Sequence, residues 1–290
     1  MRTGTFTAAD GTELAYHVRG EGRPLVVLPG GPMRASAYLG DLGGLTAHRR
    51  LVLLDLRGTG DSAPPADPGT YRCDRLVDDV EALRGHLGLD RVDLLAHSAG
   101  GSLAMLYAAR HPERVSRLAL ITVTPWALGM PATPEGRLAA ARLREGEPWF
   151  EDAFPAFEAW LAGTADFDPV FEPFFYGRLD LAVAAKHSAL ADEQTNDEAA
   201  DAYFAEGAFD PPTLRAALGR LPAPVLVVAG ELDGGPRPEL ARRSAEVFLN
   251  ATAVVQPGAG HYPWLDDPEW FARRVVAFLD ADGGSPPSAE

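Results

Sequence analysis

The stretch VDLLAHSAGGSLAMLYAA, residues 92–109, decides the fold. An apolar run gives way, across a short turn around Ser98, to small residues with helical spacing. Ser98 admits two readings. A sharp strand-to-helix turn lifts a hydroxyl out of a sheet and presents it as a nucleophile. Alternatively Ala96, Ala99, Gly100 and Gly101 simply let a helix pack closely on a strand, and the serine is incidental. The remainder of the chain has to decide between them.

Working outward, GTELAYHV, PLVVLPG and RLVLLDL are β-like runs, the second nearly all apolar, as a strand covered on both faces should be. A helix is expected over 73–87, with Leu76, Val80, Leu83 and Leu87 along one face. VSRLALITV, PVLVVAG and TAVVQPG supply later strands, and a last helix is expected over 268–280. Apolar strands alternating with helices predict an α/β fold, a mostly parallel central sheet with helices on both faces. The alternation stops over 126–212, a segment without β-runs that is rich in Ala, Glu and Phe. The expected organisation is a core over 1–125, a helical cap over 126–212, the rest of the core over 213–280, and a disordered Gly/Pro/Ser tail over 281–290.

Composition excludes several function classes. The formal charge of −15 argues against nucleic acid, whose phosphates call for basic patches. That charge is concentrated, because 126–212 holds 17 Asp or Glu against 5 Lys or Arg. The same interval carries 14 of the 25 aromatic residues. The N-terminal stretch has no apolar core of signal-peptide length and no segment is long enough to span a bilayer, so a cytoplasmic protein without a membrane partner is expected. The single cysteine, Cys73, rules out an internal disulfide framework, and near the start of an expected helix it carries no functional reading. No His/Asp/Glu cluster has metal-ligand spacing, and neither PGGP nor any other glycine run has the form of a phosphate or dinucleotide loop. No metal and no cofactor are expected. The oligomeric state is left open.

In open α/β sheets the ligand lies beyond the carboxyl ends of the strands. The residues just after each strand are therefore informative: PGGP at 29–32, HSAG at 97–100, ELD at 231–233 and PGAGH at 257–261. A serine, an acid and a histidine each follow a different strand, in the order Ser98, Asp233, His261. With AHSAGG, GELD, GAGHYPWLDDPEWF, PGGP and DLRGTGDS, the chain resembles serine hydrolases of the α/β-hydrolase superfamily, in particular the proline iminopeptidase-like branch. Ala96 stands in place of the first Gly of G-x-S-x-G, and Pro29 in place of the histidine of an HGGP motif.

The resemblance implies a small-molecule hydrolase cleaving an ester or amide through an acyl-enzyme on Ser98. His261 would remove the serine proton, and Asp233 would fix the imidazole tautomer. Backbone N–H groups of Ala99 and Gly31 would form the oxyanion hole; Pro32 has no N–H to offer. Pro32, His97, Trp126, Phe174, Phe175, His187 and Tyr262 are candidate substrate contacts. Glu231 should face away by strand parity, and Asp55 with Arg57 should brace the turn of DLRGTGDS. His17, His48, His86 and His111 are expected at the surface. An aminopeptidase of the proline iminopeptidase type is the main alternative, with a triad-using lyase, acyl transferase or tailoring enzyme of secondary metabolism as others. Some peptidase relatives carry a carboxylate directly after the acid, where Gly234 and Gly235 stand here. That departure argues against a strict requirement for an N-terminal amine. The carboxylates of 126–212 could attract a cationic amine into an aromatic-lined cavity, but they are expected to be a solvated face, and the aromatics a local core.

Overall fold

The computed structural model describes residues 2–177 and 180–281. Eight strands of these residues form one sheet: β1 (Arg2–Thr7), β2 (Glu13–Arg19), β3 (Pro24–Leu28), β4 (Arg50–Leu54), β5 (Val92–His97), β6 (Val115–Ile121), β7 (Val225–Gly230) and β8 (Ala251–Gln256). Their spatial order is β1-β2-β4-β3-β5-β6-β7-β8. Strand β2 runs antiparallel to both neighbours, and β3 through β8 are parallel. The helices are α1 (Val77–His86), α2 (Gly100–Arg110), α3 (Pro134–Ala141), α4 (Phe150–Leu161), α5 (Leu181–Glu193), α6 (Asp197–Tyr203), α7 (Pro211–Leu218), α8 (Pro238–Ala245), α9 (Pro263–Asp266) and α10 (Pro268–Asp280).

Strands β3 and β7 are apolar without alternation because both faces are covered. Every residue of β5 and of β7 is buried. Along β5, Leu94 and Ala96 enter one core with residues of α1, α2, α7 and α8, while Leu95 enters the other with Trp264 and α10. From β3 the chain crosses to β4 on one side, and β5 lies on the other. The crevice where ligands gather in such sheets therefore opens between the ends of β3 and β5.

Two expectations are corrected here, and one strand goes beyond those expected. Strand β1 has only Phe6 buried, so it carries too little apolar signal to be read from sequence. The helix expected from Cys73 begins at Val77, because the Cys73 N–H donates to the Tyr203 carbonyl at 3.1 Å and holds the preceding backbone in turns. His17 is buried rather than superficial, its ring nitrogens 3.0 Å from Thr3 Oγ1 and 2.9 Å from Asp55 Oδ2.

Between β6 and β7 lie α3 to α7, of which α3 to α6 fall within 126–212 and α7 runs across 212. The aromatics of this insertion do form a local core, with Phe150, Phe157, Phe171 and Phe174 packed around Ala141 and Ala153. Ala199 and Tyr203 of α6 belong instead to the core of the sheet. Past Ala281, the tail expected over 281–290 lies outside the described residues. No helix among the described residues is long and apolar enough to cross a membrane.

Candidate active site

At the end of β5 the backbone reverses within one residue. Ser98 has φ of 51°, a left-handed conformation that a side chain seldom adopts without a compensating reason. Its N–H still bonds the Ile121 carbonyl of β6 at 3.0 Å, while its carbonyl already accepts from Gly101 at 3.0 Å. Strand and helix thus meet at this serine. Small neighbours are compulsory. A Cβ at Gly100 would lie 2.3 Å from the Pro29 carbonyl oxygen, and one at Gly101 2.3 Å from the Val123 side chain. Both readings of the glycines and alanines hold together, since the close packing is what permits the turn that raises the hydroxyl.

The loops after β7 and β8 bring Asp233 and His261 to this point. Ser98 Oγ lies 2.9 Å from His261 Nε2, and His261 Nδ1 lies 2.8 Å from Asp233 Oδ2. The other carboxylate oxygen of Asp233, Oδ1, accepts the Gly235 N–H at 2.8 Å. Asp233 is 2 % exposed, so its charge acts at low dielectric. Glu231, the rival acid, points elsewhere and accepts the Gly258 N–H at 2.7 Å. This arrangement can take a proton from Ser98 and hold the imidazolium that results. Among the described residues, the N–H groups of Gly31 and Ala99 donate to no acceptor. They flank the serine from the ends of β3 and β5, where a tetrahedral oxyanion would need donors.

Both ring nitrogens of His97 are engaged by other residues. The Gly30 N–H donates to the Tyr38 hydroxyl at 2.7 Å, and that hydroxyl donates to His97 Nδ1 at 2.7 Å. His97 Nε2 then donates to the His261 carbonyl at 3.0 Å. The chain of bonds assigns the neutral ring one tautomer and ties the loop after β3 to the loop after β8. Burial, reinforced by the neighbouring His261, holds the His97 pKa well below its usual value, in keeping with a neutral ring. The histidine loop is also fastened to the insertion. The His261 N–H donates to the Phe175 carbonyl at 2.8 Å. The Asp266 carboxylate accepts the N–H of Gly177 at 2.9 Å and that of Gly260 at 2.8 Å.

A cavity of about 290 Å³ opens over Ser98. Of the candidate substrate contacts, Pro32, His97, Trp126, Phe174, Phe175 and Tyr262 line it. His187 does not. Its ring is held outside the lining by the Tyr176 hydroxyl at 2.9 Å and the Tyr38 carbonyl at 3.1 Å. Two arginines that sequence reasoning passed over, Arg34 and Arg137, do line it. Neither sits in a strand-end motif, so no pattern marked them. Of the insertion's carboxylates whose side chains are described, all but Glu172 are exposed as expected, but Asp192 also lines the cavity, beside Arg34 at 3.4 Å. Asp55 and Arg57 brace their loop, Asp55 accepting the Ser36 N–H at 2.8 Å and Arg57 bonding Asp79 and Asp10.

A family model described as the alpha/beta hydrolase fold matches residues 23–268. The chain belongs to this family. It is 28% identical over 288 residues to a proline iminopeptidase of Levilactobacillus brevis, covering 92% of each chain. It is 29% identical over 280 residues to a 1-acylglycerol-3-phosphate O-acyltransferase of Sus scrofa, covering 89% of this chain and 77% of that one. Among solved structures, an esterase from Rhodococcus sp. ECU1013 superposes with a TM-score of 0.74 at 25% identity, covering 97% of this chain and 99% of the other. As a member of the α/β-hydrolase family with esterase and peptidase relatives, the protein is an enzyme of hydrolase type that acts on small molecules.

Proposed function

We propose that the protein is a serine hydrolase that cleaves an ester or amide bond of a small molecule through an acyl-enzyme on Ser98. The observation that carries this reading is the unbroken chain Ser98 Oγ–His261–Asp233, at 2.9 and 2.8 Å, at the floor of a cavity. Ser98 Oγ attacks the carbonyl carbon as His261 Nε2 takes its proton, and Asp233 steadies the imidazolium. The oxyanion is received by the N–H groups of Gly31 and Ala99. His261 returns the proton to the leaving group as its bond to the acyl carbon breaks. A water molecule, deprotonated by His261, then releases the acid and restores Ser98.

The segment 126–212 acts as the lid of this cavity, its Trp126, Phe174 and Phe175 bounding the acyl or leaving-group pocket. A cytoplasmic location fits the lack of a membrane-crossing helix among the described residues. The aminopeptidase alternative is weaker, because among the described residues the one carboxylate of the insertion that lines the cavity, Asp192, is already paired with Arg34. A fluorophosphonate probe tests the assignment. Label should map to Ser98, and Ser98→Ala should lose both the label and about 10⁴-fold or more in kcat. Full turnover of an aryl ester by Ser98→Ala would overturn it.

A further inference from the structure

The cavity holds two cations of unequal standing. Arg34 is engaged on several sides: Nε donates to Thr195 Oγ1 at 2.9 Å, while its terminal nitrogens reach Asp192 at 3.4 Å and the Tyr262 hydroxyl at 3.5 Å. Arg137, on α3, is half-buried against the same space, and its guanidinium makes no hydrogen bond or ion pair with any described residue. Its nearest electrostatic partner is Asp233, whose two oxygens are already given to His261 and the Gly235 N–H. A guanidinium withdrawn from water without a partner is costly, and here burial draws its pKa below the usual value.

The local backbone is shaped around it. A Cβ at Gly235 would come within 3.1 Å of the Arg137 guanidinium, and one at Gly234 within 3.3 Å of its Cα. The two glycines after Asp233 therefore leave space that the arginine occupies. A planar guanidinium with free N–H donors suits a carboxylate, which can accept two parallel bonds from it. The other acid lining the cavity, Asp192, is paired with Arg34, so of the two guanidiniums that of Arg137 is the one whose N–H donors are engaged by no described residue and can be taken up by an incoming anion.

We propose that Arg137 is the recognition residue for a carboxylate on the substrate, so that the site prefers esters or lactones whose acyl part carries a second, free acid group. The proposal rests on Ser98 being the nucleophile, and its test separates the two. Half-esters of four- to seven-carbon dicarboxylic acids with p-nitrophenol are compared with p-nitrophenyl esters of the matching monocarboxylic acids. Wild-type kcat/KM should favour at least one half-ester over its neutral counterpart. In Arg137→Gln that preference ratio should fall by about 10- to 100-fold, the worth of hydrogen bonds to a charged group, with Arg137→Lys retaining part of it. Arg137→Glu should reverse the preference. A ratio unchanged in Arg137→Gln, because no half-ester is favoured or because both esters lose the same factor, overturns the proposal and leaves Arg137 as a counter-charge to Asp233. Calorimetric binding of monomethyl glutarate to Ser98→Ala, weakened by adding Arg137→Gln, reads the same contact without turnover. Failure of Ser98 labelling is thus distinguishable from failure of carboxylate recognition.

Discussion

Replacing Asp233 by Asn changes one atom, and the structure fixes what that atom does. The Gly235 N–H donates to Oδ1 at 2.8 Å, so the Asn carbonyl oxygen is held at that position. The amide NH₂ must then occupy the place of Oδ2, 2.8 Å from His261 Nδ1. A donor facing Nδ1 requires a lone pair there, which moves the ring proton to Nε2. Nε2 lies 2.9 Å from Ser98 Oγ, and in this tautomer it offers the serine a proton instead of a lone pair. The general base is absent although every heavy atom is in place. The loss should be on the order of 10⁴-fold in kcat, equivalent to about 5.4 kcal/mol of transition-state stabilisation. Because shape and cavity are unchanged, KM for a neutral aryl ester should move little. Steady-state kinetics and the rate of fluorophosphonate labelling should both fall, while the urea midpoint confirms that the variant is folded. A variant retaining a tenth of wild-type kcat refutes the tautomer argument.

Two further outcomes follow from the packing of the site. Burial holds His97 deprotonated in the folded state, so below the usual histidine pKa of about 6.5 the unfolded chain takes up a proton that the folded chain refuses. Unfolding free energy should therefore decrease as pH drops below about 6.5, by up to about 1.4 kcal/mol per pH unit for this residue. His187, shifted the same way by burial, adds to the slope. Urea titrations between pH 7 and 5 should show it, and His97→Asn should reduce it; equal slopes in the two proteins would exclude His97 as its source. Gly100→Ala places a Cβ 2.3 Å from the Pro29 carbonyl oxygen and 2.9 Å from that of Leu28, both rigid backbone. The overpacking should cost about 1–3 kcal/mol and lower kcat by displacing the Ala99 N–H from Gly31; unaltered stability and turnover would show that α2 is not seated tightly on β3.

The strands of the sheet were legible wherever burial on both faces made them apolar throughout, as in β3 and β7, or nearly so, as in β5. Strand β1 was not, since an edge strand with one buried side chain leaves no such trace. Ser98, Asp233 and His261 could be read because each sits directly after such a strand, so that locating the strand locates the residue. Arg34 and Arg137 lie on a turn and on a helix of the insertion, and only the path of the chain through space brings them over Ser98. The sequence showed Gly234 and Gly235 as missing side chains; that they make room for a guanidinium is visible only in three dimensions. His97 shows the converse case. Adjacent to Ser98 in sequence, it serves the backbone of His261, 164 residues further on.

The bonds from Phe175 to His261, and from Gly177 and Gly260 to Asp266, bear on how this enzyme can be re-engineered. Insertions between β6 and β7 invite exchange between relatives, as if the sheet were a chassis and the helical segment a fitting. Here the seam does not run between the two. The backbone that holds His261 is anchored partly in the segment that would be swapped, and the glycine beside it is packed to suit: a Cβ at Gly260 would lie 2.6 Å from the Phe175 carbonyl oxygen. A chimera that replaces 126–212 wholesale inherits a histidine loop with its N–H unanchored. Grafts that keep 175–177 native, and join the foreign helices before them, preserve the register of His261 against Ser98.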